Sequence, residues 1–403
     1  MGKFILIYKG EHNLNKDLLI IAPEYYSFVK DQTESIAIFF SNVKVLVRHN
    51  PIAEISTILP INSLTNFRKK NLINCINIPH NISVFPTPVY YAPLDFFYKR
   101  LGEQHFCAVN SIIRKNYFHF DLMHAHATWS SGYVGARLKD LYHVPFLVTA
   151  HGYDIYSLPF KDAIWKKKIE YVLNKADAVI TVSQSNLKCI QKLDVDTPVY
   201  IIPNGFRSDL FSPREMAASR RVLGLPLDRK ILLNVGNLEP VKGQKYLIDA
   251  VNEIIKERKD ILCIVVGMGS EIRTLEKQIL FQGLGEYVLL VGKKPHDEIP
   301  LWINACDIFV LPSLNEGNPT VMFEALGCGK PIIGTKVGGV PEVIFSEDYG
   351  LVVEPADIGD LADKIMMALD RKWDQKKILA YAKQFTWENI AKETLKVFTK
   401  ISV

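Results

Sequence analysis

Two glutamates eight positions apart, Glu316 and Glu324, bracket the stretch of this 403-residue chain best suited to chemistry. Between them, Asn318 has the side chain of a helix N-cap, and Pro319 suits a first helical position, where its missing N–H costs nothing. That frame leaves the amides of Thr320 and Val321 pointing out of a helix start, where the dipole favours an anion. A phosphate held there has a carboxylate toward each end of a longer ligand. Ionised carboxylates only accept hydrogen bonds, so Glu324 suits a ribose diol and Glu316 the hydroxyls of a second sugar. The pattern reads as a nucleotide-sugar site. The competing reading is a capped surface helix with two solvated acids.

Other reactive side chains fall at the ends of strand-like runs. His151 follows the run 144–150, and open α/β sheets place ligands at that edge; a satisfied loop histidine is the alternative. Asp154 is suited to holding the His151 loop by accepting backbone hydrogen bonds. His124 and His126 share one face of the run 121–126, but a third metal ligand at a familiar spacing is missing. Asn204 and Gly205 read as a turn. Glu342 either caps its own helix or meets a ligand.

The elements that must position these residues alternate strand and helix. A first strand is expected at Phe4–Tyr8, a helix over 31–40 and a strand at Val43–Val47. The segment Pro23–Lys30 lacks the glycine-rich phosphate loop expected after a first strand. Further strands follow at 178–182, 199–202, 231–235, 261–266, 288–291, 308–311 and 330–333, with helices between. This rhythm, run twice, predicts two doubly wound parallel sheets. The expected domains are 1–206, 207–385 and a last helix, 386–403, packing back toward the first domain.

Hydrophobic content of 48% and charged content of 23% belong to a globular chain. Six scattered cysteines without a CxxC pair fit reduced thiols in a cytoplasm rather than a disulfide frame or zinc site. The run at residues 4–8 is too short for a signal sequence, and no apolar run reaches membrane-span length. Up to residue 200 there are 22 Lys/Arg against 16 Asp/Glu; the remainder carries 26 against 27. A basic first half suits an anionic membrane surface or acceptor, or only a solvated face. Phe96–Arg100 and Arg114–Phe118 interleave rings with cations, as at a membrane interface or on ordinary half-buried helix faces. Nucleic-acid binding would rest on charge alone and is not expected.

In this order, the segments Asp121–His126, Thr149–Asp154, Ile202–Gly205, Gly236–Gly243, Glu316–Glu324 and Gly338–Glu342 resemble the retaining, nucleotide-sugar-dependent glycosyltransferases of family 4. The resemblance covers about residues 120–390 and implies the GT-B fold, two Rossmann-like domains facing across a cleft. It places Glu324 on the ribose, Glu316 by the transferred sugar, Lys242 on the diphosphate and His151 against the donor sugar from the other domain. Gly338 and Gly339 would let a loop approach the donor. The family's diphosphate pair is an Arg just after the glycine and a Lys five residues on. Here Gly236 is followed by Asn237, an uncharged donor, so Lys242 and the helix amides of Thr320 and Val321 carry more of the charge, or another cation substitutes.

The implied reaction is metal-independent transfer of a hexose from a nucleoside-diphosphate sugar to a lipid-linked, polysaccharide or other glycan acceptor. No cofactor is expected beyond that donor. The leaving diphosphate is met by Lys242 and the amides of Thr320 and Val321, with His151 and Glu316 orienting the sugar and domain closure excluding water. The expected setting is the cytoplasm, with peripheral contact at the inner membrane face. Alternatives are a sugar-phosphate or sucrose-type synthase on the same fold, and a catalytically silent sugar-nucleotide-binding subunit of a polysaccharide assembly, which Asn237 favours.

Overall fold

The computed structural model describes residues 14–57, 67–92 and 94–402. The expected strand at residues 4–8 lies outside them. The chain forms two compact units. One holds residues up to 181 with 190–202 and 391–403; the other holds 182–189 and 203–390. The final helix, Trp387–Ile401, thus spends most of its length in the first unit, where Phe398 packs edge-on to Phe40 at 5.4 Å.

The first unit is built on seven parallel strands: β1 Asp17–Ala22, β2 Asn42–His49, β3 Ile82–Pro88, β4 Leu122–His126, β5 Phe146–Ala150, β6 Ala178–Thr181 and β7 Val199–Ile201. Their order is β3-β2-β1-β4-β5-β6-β7. Among the described residues the first strand is Asp17–Ala22, an apolar run that the sequence pattern left unassigned. Its helix follows at Ser27–Ala37, earlier than the 31–40 expected. Both faces of the sheet are covered, so Leu18–Ala22 is fully buried. Two-sided burial gives continuous apolar strands rather than alternating ones.

Six parallel strands make the second unit: β8 Lys230–Val235, β9 Ile261–Val266, β10 Val288–Gly292, β11 Ile308–Leu311, β12 Ile332–Thr335 and β13 Gly350–Val353. Their order is β10-β9-β8-β11-β12-β13. One core lies on each face. One gathers Phe309, Met322, Phe323 and Leu326; the other gathers Leu247, Val251, Ile308 and Leu361. The order reverses between β8 and β11, and between β1 and β4 in the first sheet. Loops leaving those neighbouring strand ends diverge to opposite faces and open a crevice.

Of the aromatic-basic stretches, the helix Asp95–Lys115 has mixed faces. Leu101, Val109 and Ile113 are buried, while Phe96 and Phe97 are exposed with Arg100 lying 4.3 Å over Phe96. Among the described residues, no helix is long and apolar enough to cross a membrane. All six cysteines are free, and burial pushes the Cys263, Cys306 and Cys328 thiols up to about 12, which makes them inert packing groups.

Candidate active site

The reversal point of the second sheet collects the residues singled out between 236 and 324. After β8 the chain runs through Gly236 and Asn237 into a short turn, Pro240–Lys242. After β11 it runs through Ser313 and Glu316 into the helix Thr320–Gly327. The two loops touch along their backbones, with Leu314 N donating to Val241 O at 2.7 Å. Gly243 permits this approach: its φ is +68°, and a Cβ there would stand 2.0 Å from Pro312 O.

This contact places Lys242 against Glu316. Lys242 Nζ donates to Glu316 Oε1 at 2.7 Å, and Ser313 Oγ donates to the same oxygen at 2.7 Å. Glu316 is 6% exposed and Glu324 7%. A surface helix with two solvated acids is therefore excluded: both carboxylates are buried and partnered. Glu324 Oε1 lies 3.0 Å from His296 Nε2, and the His296 ring packs against Phe211 at 5.3 Å. Lys242 Nζ therefore has a carboxylate on it, and any anion would compete with Glu316 for the ammonium.

Asn318 does not cap the helix. The N-cap position is Pro319, with extended backbone and no side-chain cap bond. The Asn318 side chain is drawn the other way, its Oδ1 accepting from Asn204 N at 2.8 Å while Asn204 Nδ2 donates to Asn318 O at 2.7 Å. The turn at Asn204 is thus a clamp on the Glu316 loop. Because Pro319 offers no side-chain acceptor, the first-turn amides of Thr320 and Val321 are left without a capping side chain.

The glycines at 338 and 339 pack closely on this loop. A Cβ on Gly338 (φ +51°) would sit 1.6 Å from Glu316 O, and Gly339 N donates to Gly317 O at 3.0 Å. Glu342 neither caps its own helix nor stands free. Its two oxygens accept from Gln184 N at 2.7 Å and Ser185 N at 2.9 Å, capping the helix Gln184–Ile190. Asn237 is exposed, and its carbonyl accepts from Gln244 Nε2 at 3.0 Å. Sequence reasoning missed Ser313 and His296. Neither sits at a telling spacing, and only the folded loops bring them to the two glutamates.

His151 lies in the first unit, just beyond β5. Asp154 fixes its loop: Oδ1 accepts from His151 N at 3.1 Å and Gly152 N at 2.8 Å, and Oδ2 from Thr128 N at 2.8 Å. His126 Nδ1 is 3.2 Å from His151 Nε2, and the His124 and His126 rings pack tilted at 4.4 Å. Burial holds all three imidazoles neutral. It lowers His151 and His126 and takes His124 to about 3, with His124 Nε2 bound to Thr149 Oγ1 at 2.8 Å. Among the described residues, no group of three or more His, Cys, Asp or Glu is placed to hold a metal ion. In the loop after β1, burial pushes the Glu24 carboxyl up to about 7.

Comparison with known proteins joins these observations. Residues 215–385 match the family model for glycosyl transferases group 1, and residues 66–210 match that for glycosyltransferase family 4. A D-inositol 3-phosphate glycosyltransferase of Corynebacterium jeikeium is 30% identical over 70% of this chain and 73% of its own. A Bacillus subtilis glycosyltransferase named for teichuronic acid biosynthesis is 30% identical over 74% of each chain. Among solved structures, sucrose-phosphate synthase from Thermosynechococcus elongatus superposes with a TM-score of 0.75, at 23% identity over 96% of this chain and 99% of its own. Anabaena HepE in complex with UDP and glucose gives 0.72, at 21% identity over 96% of this chain and 100% of its own. At such identities these structures establish the GT-B fold.

Proposed function

Because this chain belongs to the family 4 glycosyltransferases, we propose that it moves a hexose-type sugar from a nucleoside-diphosphate donor to a glycan or lipid-linked acceptor. The proposal includes retention of configuration and no requirement for a metal. The observation that carries it is the Lys242–Glu316 pair, at 2.7 Å, beside uncapped helix amides at the reversal point of the second sheet. That cluster offers one cation and fixed amide dipoles to an anion, and carboxylates to hydroxyls.

When the diphosphate enters, Lys242 exchanges Glu316 for phosphate oxygens. Glu316 is then released to accept hydrogen bonds from the transferred sugar, and Glu324, oriented by His296, accepts from the ribose diol. In the transfer step the bond from the anomeric carbon to the diphosphate oxygen breaks. The acceptor oxygen bonds the same carbon on the same face, and its proton passes to the departing phosphate oxygen. Lys242 and the amides of Thr320 and Val321 stabilise the charge that develops there, without reorganising as it does so. The reading assigns His151 to orienting the donor sugar, as a neutral imidazole.

The HepE structures with UDP and with UDP-glucose support a uridine donor as the first to try. The exposed Leu94, Phe96 and Phe97 beside Arg100 support peripheral contact with an anionic membrane. A thermal-shift screen of nucleotides and nucleotide sugars, followed by nucleotide release with the best donor, tests the function. Stabilisation and turnover by one donor class is the expected result. Binding without any nucleotide release would favour the silent subunit instead, the reading that the exposed, uncharged Asn237 supports.

A further inference from the structure

The first unit carries a cavity of its own. It has a volume of ≈ 360 Å³ and lies at the C-terminal edge of the first sheet, between the ends of β2 and β3 and the loop beyond β5. Its lining includes Arg48, Tyr91, Asp95, Tyr98 and Lys161. The size is that of a small-ligand pocket, and the edge is the one where parallel sheets hold ligands.

Its charge is unbalanced. The only acid among those residues, Asp95, pairs with Lys99 at 2.9 Å and accepts from Trp165 Nε1 at 3.1 Å. Lys99 is in turn shared with Asp162 at 2.6 Å. Among the described residues, no ion pair joins Arg48 or Lys161 to a carboxylate. Arg48 is held by neutral groups: Nη1 donates to Ser130 Oγ at 2.8 Å, and the guanidinium stands 5.6 Å over the Tyr91 ring. Ser130 Oγ is itself 2.8 Å from Nδ1 of the fully buried His105, which burial keeps neutral. Lys161 Nζ lies 5.4 Å over the Tyr153 ring. Two cations with aromatic walls and neutral braces form a socket for an anionic oxygen group; the guanidinium fork matches phosphate geometry.

We infer that this cavity receives a phosphate group carried by the acceptor, so that the enzyme glycosylates a phosphorylated, hydroxyl-bearing substrate. The inference rests on the transfer reading above. Arg48 and Lys161 bind the phosphate; Tyr91 and Tyr98 flank the carbon skeleton. The phosphate can come from a soluble sugar phosphate or from a lipid-linked carrier, and the test separates the two.

The test is calorimetry on the full chain with inorganic phosphate, glucose, glucose 6-phosphate and polyprenyl phosphate in micelles. Glucose 6-phosphate or the polyprenyl phosphate should bind at least about tenfold tighter than glucose, and whichever binds tighter identifies the source. Arg48→Gln and Lys161→Gln should each weaken that binding about tenfold, whereas Lys336→Gln, a surface cation in the second unit, should not. Lys161 is exposed, so its variant remains informative should Arg48→Gln fold poorly. Equal affinity for glucose and both phosphates, or equal losses in all three variants, would overturn the inference. Nucleotide binding by the wild-type protein is scored separately. Its absence would sink the transfer reading, while failure of the phosphate arm alone sinks only this one.

Discussion

Lys242→Ala removes two things at once, and the structure allows them to be separated. Its ammonium is the cationic partner of Glu316, whose side chain is 7% exposed while that of Lys242 is 29% exposed. Removing one member of a buried ion pair costs about 3–5 kcal/mol, because the survivor keeps an uncompensated charge. Here Ser313 still donates to Glu316, and the lysine end reaches water, so the expected loss is about 2–3 kcal/mol. The same substitution removes the charge facing the leaving diphosphate, at about 2–4 kcal/mol of barrier, or roughly 30- to 900-fold in turnover. Glu316→Gln added to Lys242→Ala abolishes the orphaned charge. Urea unfolding should then show stability back within about 1 kcal/mol of wild type. Nucleotide release should be no faster than in the single variant, since Glu316 is also lost as an acceptor for the sugar. If Lys242→Ala unfolds like wild type, the pair is not a buried one in solution. If the double variant regains turnover, the lysine serves only to neutralise Glu316, and the charge-stabilisation argument fails.

Acid should unfold the protein early. For His124 the folded value of about 3 lies below the ordinary 6.5, so the stability linked to it is complete above pH 6.5 and is lost as the pH falls toward 3. His105, His126 and His151 are lowered in the same sense, each adding a slope of up to about 1.4 kcal/mol per pH unit, readable by circular dichroism against pH. Glu24 runs the other way: its carboxyl, raised to about 7, contributes stability below pH 4.5 that is lost as the pH rises through 7. Glu24→Gln should therefore raise the melting temperature at pH 8 and leave it unchanged at pH 4. Gly338→Ala should cost at least about 2 kcal/mol and weaken donor binding, since the left-handed backbone and the contact with Glu316 O both forbid a methyl; unchanged melting would contradict that packing. Asn237→Arg should tighten donor binding about tenfold, as one charge-assisted hydrogen bond is gained; an unchanged Kd would remove Asn237 from the diphosphate path.

Much of the fold was legible because parallel strands buried on both faces are continuous apolar runs. Ile261–Val266 and Ile308–Leu311 were read to the residue. Leu18–Ala22 is as apolar as the runs that were read, and it is pairing with β2 and β4 that makes it a strand. Short pieces such as β13 and the helix Met216–Leu223 carried too few periodic positions to stand out.

At the site, residue types alone pointed to a helix start between two carboxylates, because carboxylates accept, amides donate and proline, which has no N–H to donate, suits a helix entry. Partners were settled by folding. That Glu316 neutralises Lys242, that Asn318 turns to Asn204, and that Glu342 caps a helix some 150 positions earlier are contacts between residues distant in sequence. Hydrogen bonds of this kind depend on where loops from separate strands meet, and local composition holds no record of that distance.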